Sequence, residues 1–129
     1  MSRRKGSLPA QYFEGLYASN PDPWKFATSA YEQAKYHATL AALPRSLYQR
    51  GLEIGCSIGV FTARLAPRCE QLVAIDISEQ ALSTARVRCR SIPNVCFEQI
   101  AVPAHWPQGT FDLVLLSEVV YYLDIRDVT

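Results

Sequence analysis

Apolar positions along this chain change their period several times, and each change marks an element. Leu52 and Ile54 read as a short buried strand, while Val60 and Phe61, with Leu65 four residues after Phe61, read as an amphipathic helix. The turn between them is therefore Gly55 to Gly59. A second apolar run, Leu72-Val73-Ala74-Ile75, is closed by Asp76. Ser78 then caps a helix with Glu79 in its first turn; Leu82, Ala85 and Cys89 share one face, leaving Arg86, Arg88 and Arg90 as the solvated side. Residues 94–100 predict a third strand, 103–109 a loop and 111–116 a fourth strand, apolar on both faces as a central parallel strand should be.

Ahead of the first strand, Ser29-Ala-Tyr-Glu32 is a capping-box pattern that predicts a helix from near Ser29 to a stop at Pro44, with Tyr36, Leu40 and Leu43 as its core stripe. Pro67 closes the helix that follows the glycine turn, and Arg50 is expected at the surface. Near the start, Pro9 and the apolar face of Tyr12, Phe13, Leu16 and Tyr17 predict a short helix. Pro21 and Pro23 hold the next segment extended and fix the presentation of Trp24, which either covers a ligand or plugs a core edge. The order strand, helix, strand, helix, strand, loop, strand gives an open α/β sheet of parallel strands with right-handed crossovers. Residues 1–43 read as a tail and helical cover, and 44–129 as the sheet domain.

Ligands of such sheets sit beyond the carboxyl ends of the strands. Glu53 to Gly59, Asp76 with Ile77, Ala101, and Ser117 with Glu118 all fall there. Glycines in a strand-to-helix turn let a ligand approach the backbone, and the helix start offers free N–H groups. Asp76 lies 21 residues past Gly55, the spacing of a carboxylate that accepts from ribose hydroxyls. A dinucleotide pattern G-x-G-x-x-G starting at Gly55 would need glycine at 57 and 60, where Ser57 and Val60 stand. An acid followed by G-x-G-x-G fits with only the middle glycine replaced, by Ser57. Tyr31 and Lys35 are four apart and so neighbours on one helix face, a phenol and an ammonium suited to an anionic group such as a carboxylate.

The run Glu53-Ile-Gly-Cys-Ser-Ile-Gly-Val-Phe-Thr62, with Asp76, resembles motif I and the ribose acid of class I S-adenosylmethionine-dependent methyltransferases. Together with Asp22-Pro-Trp24, Tyr31-Glu-Gln-Ala-Lys35-Tyr36 and the run from Phe111 through Glu118 to Leu123, the chain is similar to the NodS-type methyltransferases. The resemblance implies a Rossmann-like fold, S-adenosylmethionine as cofactor, and N-methyl transfer to a small molecule or an amino sugar of an oligosaccharide. It further implies that Glu53, Gly55, Cys56 and Gly59 surround the methionyl part, that Asp76 holds the ribose, and that Ile77 packs on adenine. Ser117 would offer backbone contacts near the sulfonium, with Trp24, Tyr31 and Lys35 supplied by the N-terminal cover. Ala101 stands near where relatives place an acid on the adenine amine, so that contact falls to backbone. Glu118 is the candidate for accepting a proton or orienting the acceptor; a helix-start carboxylate is its other reading.

Composition narrows this picture little. Of 129 residues 49% are apolar, enough for one core, and thirteen Lys and Arg against twelve Asp and Glu leave no general footprint for nucleic acid. The Arg3-Arg4-Lys5 cluster reads as a solvated tail. Cys56, Cys69, Cys89 and Cys96 form no C-x-x-C pair and lie far in sequence from His37 and His105, so neither a metal site nor a disulfide framework is indicated. No leader pattern or membrane-length apolar run is present, which makes a reduced cytoplasmic setting the default. The fold is expected to be cut short after its fourth strand, leaving an apolar edge for a second copy or another chain to cover. The competing reading is a non-catalytic module that binds S-adenosylmethionine or S-adenosylhomocysteine without turnover.

Overall fold

A computed structural model describes residues 30–117. Four parallel strands, β1 (Tyr48–Ile54), β2 (Cys69–Asp76), β3 (Val95–Gln99) and β4 (Leu113–Leu116), form one sheet in the order β3-β2-β1-β4. The helices are α1 (Ala30–Ala42), α2 (Val60–Leu65) and α3 (Glu79–Arg88), with a 3₁₀ turn at Ala66–Arg68. From β1 the chain steps outward to β2 and β3, then returns to the other side of β1 for β4. The crevice where an open α/β sheet binds ligands therefore opens at the carboxyl end of β1, beside β4.

Alternation along the inner strands sorts the core into two faces. Leu52, Ile54, Val73 and Ile75 point one way and pack with Ile100, Val102 and Phe111. Leu72 points the other way, into the cluster with Tyr36, Ile58, Phe61 and Leu65 beneath the helices, while Ala74 packs with Cys56 and Leu82. Burying a side chain of this size stabilises by about 1.5–3 kcal/mol, so this stripe rather than helix propensity holds the short α2 in place. α1 joins the same cluster through Tyr36, whose ring stacks on Phe61 at 5.2 Å, with Leu40 and Leu43 partly buried beside it. Ser78 caps α3 by accepting from the Ala81 N–H at 3.1 Å.

Several boundaries differ from the apolar runs. β1 and β2 begin earlier, where Tyr48 to Arg50 pair with Cys69 to Gln71, polar positions that the ladder keeps in register without burying them all. β4 begins later, at Leu113; just ahead of it the Asp112 N–H donates to the Arg50 carbonyl at 3.0 Å and its carboxylate accepts from the backbone N–H groups of Gln49 and Arg50 at 2.9 and 2.8 Å. Arg50 is half-buried, its guanidinium 4.3 Å over the Phe111 ring and bonded to the Gln108 carbonyl at 2.9 Å. Among the described residues β4 is an edge, with Val114 and Leu116 more than half exposed. The helix expected from Pro9 to Tyr17 and the extended segment around Pro21 to Trp24 lie outside the described residues.

Candidate functional site

The turn after β1 hangs from the end of β2. The Ile75 carbonyl accepts both the Gly55 and the Cys56 N–H, at 2.9 and 3.0 Å, and the Gly59 N–H closes the bend on the Cys56 carbonyl at 3.0 Å. Three residues of the bend have left-handed backbone: Gly55 at φ 83°, Ser57 at 54° and Gly59 at 84°. At Gly59 a side chain is disfavoured twice, by the left-handed φ and because a Cβ there would lie 3.0–3.1 Å from Cβ and Cα of Ala85. That close approach sets α2 directly against α3. The far end of α3 then grips the bend: Arg88 Nε donates to the Ile58 carbonyl at 3.1 Å, and Cys89 Sγ lies 3.7 Å from the Gly59 carbonyl. Arg88, exposed as expected, is also tied to the bend.

Two buried carboxylates define the site's chemistry. Asp76, at the end of β2, is 6% exposed; its Oδ2 accepts from the Ser57 N–H at 2.8 Å and its Oδ1 from the Ser78 N–H at 3.0 Å. Two backbone donors, one from each strand-to-helix turn, therefore fix its orientation toward the bend. Glu53, one position before the end of β1, is 1% exposed. Its Oε1 accepts from Thr62 Oγ1 at 2.5 Å and its Oε2 from Ser117 Oγ at 3.2 Å. Burial pushes its pKa from 4.5 up to about 7; the two hydroxyls act against that rise and the Asp76 charge adds to it. Among the described residues no Lys, Arg or His forms an ion pair with Glu53. Burial also pushes the Cys56 thiol well above its ordinary value, with Asp76 and Glu53 contributing, so it stays protonated and is no nucleophile.

The sequence-predicted residues sort accordingly. Glu53, Gly55, Cys56, Gly59, Asp76 and Ser117 fall together at the carboxyl ends of β1, β2 and β4, where the Ser117 N–H extends the β1–β4 pairing onto the Ile54 carbonyl at 2.8 Å. Ile77 is partly buried beside it, its carbonyl held by Gln99 Nε2 at 3.0 Å. Ala101 lies two residues past β3, its carbonyl accepting from the His105 N–H. Tyr31 and Lys35 lie on α1, Tyr31 being 74% exposed and Lys35 standing 3.9 Å from the Glu32 carboxylate. Trp24 and Glu118 are outside the described residues. Thr62 is a site residue that sequence reasoning quoted without a role; its one signal was a hydroxyl nine residues after the acid.

An acid, a left-handed bend, a second acid on the neighbouring strand and a hydroxyl across the switch point thus meet at the carboxyl ends of β1, β2 and β4. The family described as Nodulation protein S (NodS) matches residues 15–129. Nodulation protein S of Bradyrhizobium diazoefficiens is 37% identical over 108 residues, 83% of this chain and 51% of that protein. That of Rhizobium tropici is 34% identical over 104 residues, 79% of this chain and 43% of its own length. Among solved structures, the N-methyltransferase NodS from Bradyrhizobium japonicum WM9 in complex with S-adenosyl-l-homocysteine is similar at a TM-score of 0.81 and 31% identity, over 91% of this chain and 60% of that one. The chain spans about half the length of the curated relatives it matches. Its four-stranded parallel sheet is of the class I methyltransferase type, and with the family match running from residue 15 to residue 129, the chain belongs to the Nodulation protein S (NodS) family.

Proposed function

We propose that this chain binds S-adenosylmethionine and serves N-methyl transfer to an amine, on a small molecule or on an amino sugar of an oligosaccharide. The observation that carries this reading is the pair of buried acids flanking the left-handed bend, one on β1 with no cationic partner among the described residues and one on β2 oriented toward the bend. Glu53 suits the α-ammonium of the methionyl end, since a buried carboxylate without a cation is costly until one arrives. Asp76, a carboxylate at the end of β2 oriented toward the bend, suits the ribose hydroxyls as an acceptor. Ile77 offers an apolar wall for the base, and the Ser57 bend leaves backbone at the methionyl carboxylate.

When bound, the cofactor supplies an activated methyl group on a sulfonium. The protein's own share is positional: Glu53 and Asp76 anchor the two polar ends, and the Gly55 to Gly59 bend and Ser117 line the middle. For an amine acceptor the nitrogen must be neutral at attack, and Glu118, just past Ser117, is our candidate for taking or orienting that proton. Trp24, Tyr31 and Lys35 are proposed as the cover. The acceptor is drawn from relatives, among which a Deinococcus radiodurans protein at 28% identity is named a trans-aconitate 2-methyltransferase, so amine and carboxylate acceptors both belong in the assay.

Titration calorimetry of the full chain with S-adenosylhomocysteine tests the cofactor assignment. Asp76→Ala is expected to weaken binding at least tenfold, the worth of about 1.4 kcal/mol in lost charge-assisted hydrogen bonds. Unchanged affinity would contradict the ribose role. Labelled-methyl transfer over amino sugars, simple amines and tricarboxylates then tests the reaction; binding without transfer to any of them would favour a non-catalytic cofactor-binding module.

A further inference from the structure

Resting on the cofactor reading above, we infer that Thr62 is a positioning residue: with Ser117 it clamps the Glu53 carboxylate in one orientation before the cofactor's amino-acid end arrives. Thr62 is 0% exposed and lies in the third position of α2. A helical threonine commonly turns its hydroxyl back on the carbonyl four residues earlier. Thr39 of α1 does so, bonding the Lys35 carbonyl at 2.9 Å. Thr62 instead directs its hydroxyl across nine residues onto Glu53 Oε1 at 2.5 Å. Ser117, from the end of β4, takes the other oxygen at 3.2 Å.

Donors from two different elements on the two oxygens stop the carboxylate from rotating. An ionised carboxylate has roughly four acceptor positions, so each oxygen keeps capacity for an incoming N–H. A fixed anion aimed in advance lowers the ordering cost of binding an ammonium. Other titratable groups acting on Glu53 or acted on by it are Asp76 at the end of β2, Cys56 in the bend, Cys69 at the start of β2 and Cys89 after α3. None is basic, so the hydroxyls are what favour the ionised acid among the described residues.

The test is the affinity for S-adenosylhomocysteine, measured by calorimetry on the full chain from about pH 6 to about pH 8.5, around the pH where Glu53 titrates. Thr62→Val keeps the shape and removes the donor. It is expected to weaken binding about tenfold near neutrality and to move the midpoint of the pH profile up by about one unit, the effect of losing one hydrogen bond to a charged group. Thr62→Ser should restore the wild-type profile. In a Glu53→Gln background, where residue 53 no longer titrates, Thr62→Val should produce no shift of the pH profile. Should Thr62→Val not fold, Thr62→Cys, a weaker donor of similar size, should shift the profile in the same direction by less. A profile superimposed on the wild type, or lowered equally at every pH, overturns the inference. Wild-type protein that fails to bind at any pH overturns the cofactor reading as well, and the two failures are told apart by that control.

Discussion

Glu53→Gln is expected to stabilise the ligand-free protein above neutrality while impairing cofactor binding. Its carboxyl is fully buried and its pKa stands at about 7 against an ordinary 4.5. Below pH 4.5 the group is protonated whether the chain is folded or not, and it contributes no pH dependence. Between 4.5 and about 7 the unfolded chain gives up the proton and the folded one keeps it, so stability falls as pH rises; above about 7 both are ionised and the loss is complete. That difference corresponds to about 3 kcal/mol, large beside a total stability of about 5–15 kcal/mol. Glutamine has the same shape, accepts from Thr62, donates to Ser117 and does not titrate. Urea unfolding followed by circular dichroism should therefore show a wild-type midpoint falling by about 1–2 M between pH 5 and pH 8, with a much flatter profile for Glu53→Gln. The two proteins should be alike near pH 4.5 and the variant the more stable at pH 8. Parallel profiles would refute the reasoning, since they would mean that Glu53 is ionised in the fold at no cost.

Two further substitutions test the scaffold around the acids. Gly59→Ala forces a Cβ to 3.0–3.1 Å from Ala85 at a left-handed φ, and should cost more than about 2 kcal/mol by thermal unfolding, because neither the backbone of α3 nor that of the bend can yield cheaply. Ser78→Ala removes the α3 cap and should cost about 1 kcal/mol in the same measurement, with cofactor affinity reduced far less than by Asp76→Ala, because the Ser78 N–H to Asp76 is retained.

Legibility in the sequence followed distance along the chain. The glycine bend, Asp76, the Ser78 cap and the Tyr36 stripe were all visible, because each is a local pattern: a turn, a strand end, an N-cap, a helical period. Placing Ser117 beside the bend required only the rule that these sheets gather ligands at their carboxyl ends. What stayed hidden depends on tertiary pairing. Thr62 and Ser117 meet on Glu53 from 9 and 64 residues away. Arg88 reaches back 30 residues to the Ile58 carbonyl. Asp112 bonds the backbone of Gln49 and Arg50 at the start of β1 from 63 and 62 residues away, a contact no apolar count reveals.

Glu53 itself is the residue that the fold alone does not explain. It sits on a strand paired on both sides, on the face covered by α2, where its neighbours on that face include Leu72 and Ala74 and a small apolar side chain would pack at no electrostatic cost. Were the acid there for structure, a basic residue of the adjoining elements would be expected to pair with it. Basic residues of the adjoining elements are engaged elsewhere: Arg64 lies over the Tyr36 ring and bonds Gln33, Arg68 bonds the backbone carbonyls of Leu40, Arg45 and Ser46, and Arg88 bonds that of Ile58. Hydroxyls rather than cations hold it, which orients the charge without neutralising it. A buried acid oriented but left without a cation, at the switch point of a parallel sheet, is what a site for a cationic ligand requires, and the stability it costs is the physical trace of that requirement.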